Sequence, residues 1–267
     1  MDIKFPSYRS LFEETKIQLN SLMEIALDDL EIEKDKNKFI FLLVGNINLK
    51  INTICFLLEN NIVDSIIGLQ RIIFELQIAF QSYCSSNNKE NFLELYWKKR
   101  DFETTIKWDR VINGSHEAIG SLFSEEGRRI IDYLKHKSKK NVKDSTSSRI
   151  TQVWYELASG KTTKDLSDEY FDEIVYFSNY DEPSNWIHPQ RLEENMGIDF
   201  NSDINKNYLQ LIVGNVRREL EWLANDVADI ASYFNINKDS EISTQLYNYG
   251  EKLSEYDLKI RKAYLAI

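Results

Sequence analysis

Proline is almost missing from this chain, with three in 267 residues, and only nine glycines accompany it. A fold of many short strands needs turn residues at close, regular intervals, and few are supplied here. The scarcity favours long helices. Cysteine is equally sparse. Cys55 and Cys84 both sit in apolar stretches of helical pattern and read as buried, reduced thiols. No CxxC pair and no zinc-type Cys/His cluster occurs, so neither a metal nor a cofactor is expected. Walker A, GxGxxG, HExxH and GxSxG motifs are all lacking. The adjacent acids Asp28-Asp29 and Glu193-Glu194 diverge on a helix and make poor two-carboxylate sites.

Targeting signals are scarce too. The opening MDIKFPSYRS has neither the basic nor the apolar region of a signal peptide. The longest apolar stretch, 39–58, is broken by Asn46, Asn48, Lys50 and Asn52, which marks a core helix rather than a membrane span. The expectation is a cytoplasmic protein with no membrane partner. The net charge of −10 weighs against a broad nucleic-acid footprint and leaves a local basic patch open.

Hydrophobic residues make up 42% of the chain and aromatic ones 12%, enough for a substantial core. Apolar spacing predicts helices over 7–32, 38–59, 62–85, 88–112, 124–137, 149–159, 163–179, 203–234 and 238–265. Ser7 is placed to cap the first, and Asn60-Asn61 to turn between the second and third. The segment DEPSNWIHPQ at 181–190 holds two prolines and is expected to interrupt any helix. The fold class is all-α: an antiparallel multi-helix bundle forming a single domain over 1–267, with an exposed, irregular insertion at 113–148. Phe92, Tyr96 and Trp97 read as core, with a dimer face as the alternative.

The segment NIVDSIIGLQRIIFELQIAFQSYCSS at 61–86 is apolar on most of its circumference, yet it carries Arg71 and Glu75 four residues apart. Charges on such a helix are expensive unless they pair or line a polar cavity. Arg71 offers five fixed donors suited to a carboxylate or phosphate, and Glu75 is placed to orient it. The structural alternative is a plain i,i+4 pair facing solvent or satisfying the core. Further on, Tyr176-Phe-Ser178 is followed by Trp186-Ile-His188-Pro189. The proline biases His188 towards an extended backbone, and an imidazole so held can serve as acid, base or hydrogen-bond relay. A histidine tying the loop to a core carbonyl is the simpler reading.

Leu69-Gln-Arg71-Ile-Ile-Phe74-Glu75, then Tyr176-Phe-Ser178 and His188-Pro189, resembles a bacterial all-helical family of unknown function. Its members carry a Leu-x-Arg-x-x-x-Glu helix, followed by a Tyr/Ser segment and a His. The likeness spans about 40–235. In this chain DEPSNW lengthens the gap between Ser178 and His188. The resemblance implies that Arg71, Glu75, Ser178 and His188 gather at one site, with Tyr176 beside them, and it supplies no reaction.

Residues 128–143, RRIIDYLKHKSKKNVK, form the basic patch through which nucleic acid would be met. Arg129 lies seven residues before His136. The pair resembles the loose Arg…His signature of metal-independent ribonucleases of the HEPN superfamily. There an Arg stabilises phosphate charge and a His moves a proton. Here Ile130 stands where those enzymes place a polar residue, and a solvated basic face explains the run equally. Three functions follow as expectations. The first is a helical binding protein, with a protein partner or homo-oligomer, that takes a partner or small anionic ligand at Arg71/Glu75/His188. Its setting would be a bacterial defence or toxin-type system. The second is a ribonuclease using Arg129 and His136, or Arg71 and His188. The third is a structural subunit without a ligand of its own.

Overall fold

The computed structural model describes residues 3–28, 34–63, 65–114, 153–187, 206–236 and 239–266, with single positions at 125, 129, 132, 133 and 136. Among the described residues all regular structure is helical, and the fold is the expected all-α bundle. The chain divides into two compact units. One joins Met1–Cys84 to Thr163–Ile267, and the other is Ser85–Thr162.

The first unit begins with α1 (Arg9–Asp28), α2 (Lys34–Glu59) and α3 (Ile66–Ser85). In α2 the buried residues Ile40, Val44, Ile47, Ile51, Ile54 and Leu58 alternate steps of four and three, the spacing of a continuous helical seam. That seam lies against α1 and against α9 (Lys206–Tyr233), which also packs on α10 (Ser240–Leu265). The stretch Lys38–Glu59 is long and apolar enough to cross a membrane, but half of its most apolar window is buried inside the unit. Its outer side keeps Leu42, Leu49 and Phe56 exposed at 60%, 47% and 58%, seven residues apart.

The turn after α2 falls at Asn60-Asn61, as expected. Asn61 adopts a left-handed φ of 57°, which Asn tolerates better than most residues. Its side chain accepts from the Ile3 amide at 2.9 Å and donates to the Ile3 carbonyl at 3.1 Å. The N-terminal segment is thereby tied to the turn. Tyr8 continues that tie: its amide donates to Glu59, and its hydroxyl donates to buried Asn48 at 3.2 Å. The Ser7 hydroxyl accepts from the Arg9 amide at 3.4 Å at the start of α1.

In the second unit, α4 (Lys89–Gly114) packs on α5 (Trp154–Ser159). Trp154 meets Phe92 edge-on at 5.3 Å and Tyr96 at 5.1 Å, while Tyr96 contacts Trp97 at 4.8 Å. Phe92 of this aromatic stripe is buried, while Tyr96 and Trp97 are partly exposed. Gly160 ends α5 at φ 72°, where an L side chain would be strained. The 113–148 stretch belongs to this unit and lies mostly outside the described residues.

Two expectations need correction. The single helix over 163–179 breaks at Phe171-Asp172, giving α6 (Thr163–Tyr170) and α7 (Glu173–Tyr176). The interruption at DEPSNW does not occur. Helical backbone runs from α7 through a π-helical turn, Phe177–Asp181, into α8 (Glu182–Ile187). The wide turn explains how Pro183 is tolerated. The Glu182 amide reaches back five residues to the Phe177 carbonyl. Pro183 therefore enters a backbone already shifted off the four-residue pattern, where a missing N–H and a bulky ring do least harm. Residues 188–190 lie outside the described part.

Candidate functional site

Helix α3 buries Ile66, Ile67, Ile73, Phe74, Ile78, Phe80 and Tyr83, together with Gln70 and Gln77. Arg71 and Glu75 fall on its flank, between the core and solvent. The Arg71 side chain is 22% exposed, and its Nε–H donates to Glu75 Oε1 at 3.1 Å. Its Nη1 donates to Ser184 Oγ of α8 at 3.0 Å, and the Ser184 hydroxyl in turn donates to the Tyr180 carbonyl. Among the described residues, two of the five guanidinium N–H groups are engaged in this way.

The guanidinium also lies over an aromatic face. Its carbon sits 4.3 Å from the Tyr180 ring centroid. Tyr180 stacks on Tyr176, with centroids 5.2 Å apart and 27° between planes. The Lys164 ammonium stands 5.3 Å from the Tyr176 centroid. Arg71, Tyr180, Tyr176 and Lys164 thus form one stack with a cation at each end, an arrangement the negative faces of the rings favour. Phe74 supports it from inside the core, contacting Phe171, Tyr176, Tyr180 and Trp222. Partial burial raises the Tyr176 hydroxyl above its usual range, Tyr180 and Asp181 add to this, and Lys164 and Arg71 oppose it. Lys164 is itself held by Asp168 at 2.9 Å, and that pairing raises its ammonium.

Ser178 does not join Arg71. Residues 176, 180 and 184 share the side of the segment that meets α3, whereas Ser178 and Asn179 are buried towards α9. There Arg218 Nη1 donates to Ser178 Oγ at 3.0 Å and to Asn215 Oδ1 at 3.2 Å. Asn215 Nδ2 donates to the Ser178 carbonyl, and Asn179 Nδ2 donates to Ser178 Oγ at 2.9 Å. Ser178 Oγ is therefore an acceptor in a packed polar node, with only a long contact to the Val175 carbonyl for its own proton. Among the described residues no base is placed to activate it as a nucleophile. Burial lowers the Arg218 guanidinium, against the pull of Glu219, Glu221 and Asp172.

Of the residues expected from the sequence, Arg71, Glu75 and Tyr176 come together, Ser178 faces the other way, and His188 lies outside the described residues. Arg129 is 79% exposed and bound to Glu125 at 2.7 Å, and His136 is exposed. The π-turn node with Asn215 and Arg218 was missed. A signal existed: Asn215, Glu219 and Asp226 occupy buried positions of α9 among Ile212, Val216, Leu220, Leu223 and Val227. Among the described residues no group of three or more His, Cys, Asp or Glu side chains is gathered to hold a metal ion.

The arrangement can present guanidinium donors beside an aromatic face to an anion or an acidic side chain. No curated protein and no solved structure matches the chain. A family profile does match, over residues 37–205, a span that includes Arg71, Glu75, Tyr176, Ser178 and His188 and ends before Arg218. The chain belongs to that family, DUF5677, a family of unknown function.

Proposed function

We propose that this chain is a helical binding protein of the cytoplasm that takes a small anionic ligand, or an acidic side chain of a partner, at Arg71. The observation that carries this reading is the half-buried Arg71 guanidinium, fixed by Glu75, Ser184 and the Tyr180 ring, with N–H groups that no described residue engages. A guanidinium held in one orientation loses little freedom on binding and suits the fork of a carboxylate or phosphate. Glu75 orients the donor, and Tyr176 and Tyr180 form the apolar wall. His188, which lies outside the described residues, is added to the site by the family resemblance alone. A defence or toxin setting rests on the family resemblance alone and adds no step at residue level.

The test is thermal stability against inorganic phosphate, a nucleoside triphosphate and a dicarboxylate. Wild type should be stabilised by at least one of them, and Arg71→Ala should lose that response while keeping its helical circular dichroism. No response to any probe in wild type, or an equal response in both proteins, removes the reading.

A homo-oligomer is favoured by a separate observation. Leu42, Leu49 and Phe56 repeat every seven residues on the outer side of α2. Two antiparallel copies centred on Leu49 would bury the stripe, set Leu42 against Phe56, and bring Lys38 towards Glu59 of the other copy. Light scattering should give a dimer that Leu49→Glu converts to a monomer. A monomeric wild type excludes this partner.

A further inference from the structure

Four polar side chains cross the centre of the first unit in a regular pattern. Gln70 and Gln77 lie seven residues apart on α3, and Glu219 and Asp226 lie seven apart on α9. All four are fully buried or within one per cent of it. Gln77 Nε2 donates to Asp226 Oδ1 at 2.7 Å, and Gln70 Nε2 donates to the Ile212 carbonyl one helical turn before Val216. The Gln70 amide is near enough to Glu219 to ease its burial, but it completes no hydrogen bond to either carboxyl oxygen.

The atoms left without a partner have one thing in common. They are Gln70 Oε1, Gln77 Oε1, both oxygens of Glu219, and Asp226 Oδ2. Every one is an acceptor when the carboxyls are ionised. The cluster lacks donors and nothing else, and among the described residues no cation forms an ion pair with either acid. An unpaired buried carboxylate would be severely penalised, and a buried acceptor without a donor adds to that. One proton on each acid converts an oxygen to a donor, which the neighbouring glutamine oxygen can accept.

We propose that Glu219 and Asp226 each hold a proton at neutral pH and join α3 to α9 as two acid–amide rungs, Glu219 with Gln70 and Asp226 with Gln77, so that the helix carrying Arg71 loosens as the pH rises. Gln70 precedes Arg71 directly, and Gln77 follows Glu75 by two positions, so the rungs bracket the Arg71–Glu75 pair.

The surrounding charges agree. Glu219 is flanked on its own helix by Arg218, the one opposing charge acting on it among the described residues, and from α2 it shares the neighbourhood of Cys55 with Glu59. Asp226 is near Asp229 on its own helix and Tyr249 of α10, and Tyr249 is in turn bonded to Thr15 and near Glu14 of α1. Burial dominates both acids: it pushes Glu219 up to about 8 and raises Asp226 well above the carboxylate range. For an acid raised on folding, the unfolded chain releases its proton first. Stability is thus greatest below the ordinary value of 4.5 and declines until the pH passes about 8 for Glu219.

The experiment is chemical denaturation of the full chain across that pH window, in wild type, Glu219→Gln and Asp226→Asn. An amide imitates the protonated acid in shape and donor. Each substitution should remove close to one proton from the uptake on folding, a factor of about ten in the folding constant per pH unit. Each variant should also overtake wild type at the alkaline end. The second measurement is the infrared carbonyl stretch of protonated carboxyl groups in wild type at neutral pH, which does not require a variant to fold. A band lost stepwise in the two variants supports the rungs. Carboxylate bands alone in wild type, or an unchanged pH slope in both variants, overturns them.

Discussion

Arg71 lies over the ring of Tyr180, the guanidinium carbon 4.3 Å from the ring centroid, although 109 positions separate them in the chain (180 − 71). The contact fixes the π-turn segment to α3 and decides what the arginine can still do.

Arg71→Ala should lower stability by about 2–4 kcal/mol, from one partly exposed cation–π contact and the charged hydrogen bonds to Glu75 and Ser184. Arg71→Lys should recover part of that, since an ammonium can still sit over Tyr180 but cannot reach Glu75 and Ser184 in one plane. Denaturant titration of the three proteins checks the order. Equal stability of all three would show that the contact holds nothing.

Phe74→Ala removes the ring that touches Phe171, Tyr176, Tyr180 and Trp222 at once. A loss of about 3–5 kcal/mol is expected for a fully buried phenylalanine. Near-ultraviolet circular dichroism should weaken along with it, because the stacked tyrosines lose their backing. An unchanged near-ultraviolet spectrum would count against this support.

Asn61 combines a left-handed backbone with two bonds to Ile3. Asn61→Ala loses both the side-chain bonds and the tolerance of positive φ. Asn61→Gly loses only the bonds. The alanine variant should therefore be less stable than the glycine variant by about 1 kcal/mol, read from thermal melts.

The two thiols should separate by reactivity. Burial pushes Cys55 up to about 12, with Glu219 and Glu59 adding and a Tyr256 hydrogen bond opposing. Cys84 is only partly buried, against the expectation of two buried thiols, and neither cysteine is in a disulfide. An aromatic disulfide reagent at mildly alkaline pH should label one thiol quickly and the second only on unfolding. Mass mapping should find the fast label on Cys84.

Much of the scaffold could be read from spacing. The α2 seam, the turn at Asn60-Asn61 and the i,i+4 pairing of Arg71 with Glu75 are local, and short-range periodicity encodes them. The partners of Arg71 were beyond reach, because Tyr180 and Ser184 come from a distant segment whose facing depends on a π-turn that no residue pattern announces. Pro183 misled for the same reason: its usual effect presumes a four-residue hydrogen-bond register. The polar positions of α9 were legible in principle as breaks in an apolar seam, and Gln70 and Gln77 gain meaning only once Glu219 and Asp226 stand opposite.

The discontinuous make-up of the first unit has a consequence for biosynthesis. When α3 has left the ribosome, α9 and α10 are still untranslated, and the whole of Ser85–Thr162 must be made before the unit can close. At about 5–20 residues per second that delay lasts several seconds or longer. Throughout it, the oily sides of α2 and α3 await their natural cover, so the newborn polypeptide is a substrate for holding chaperones, and a truncated transcript would yield a product prone to clumping.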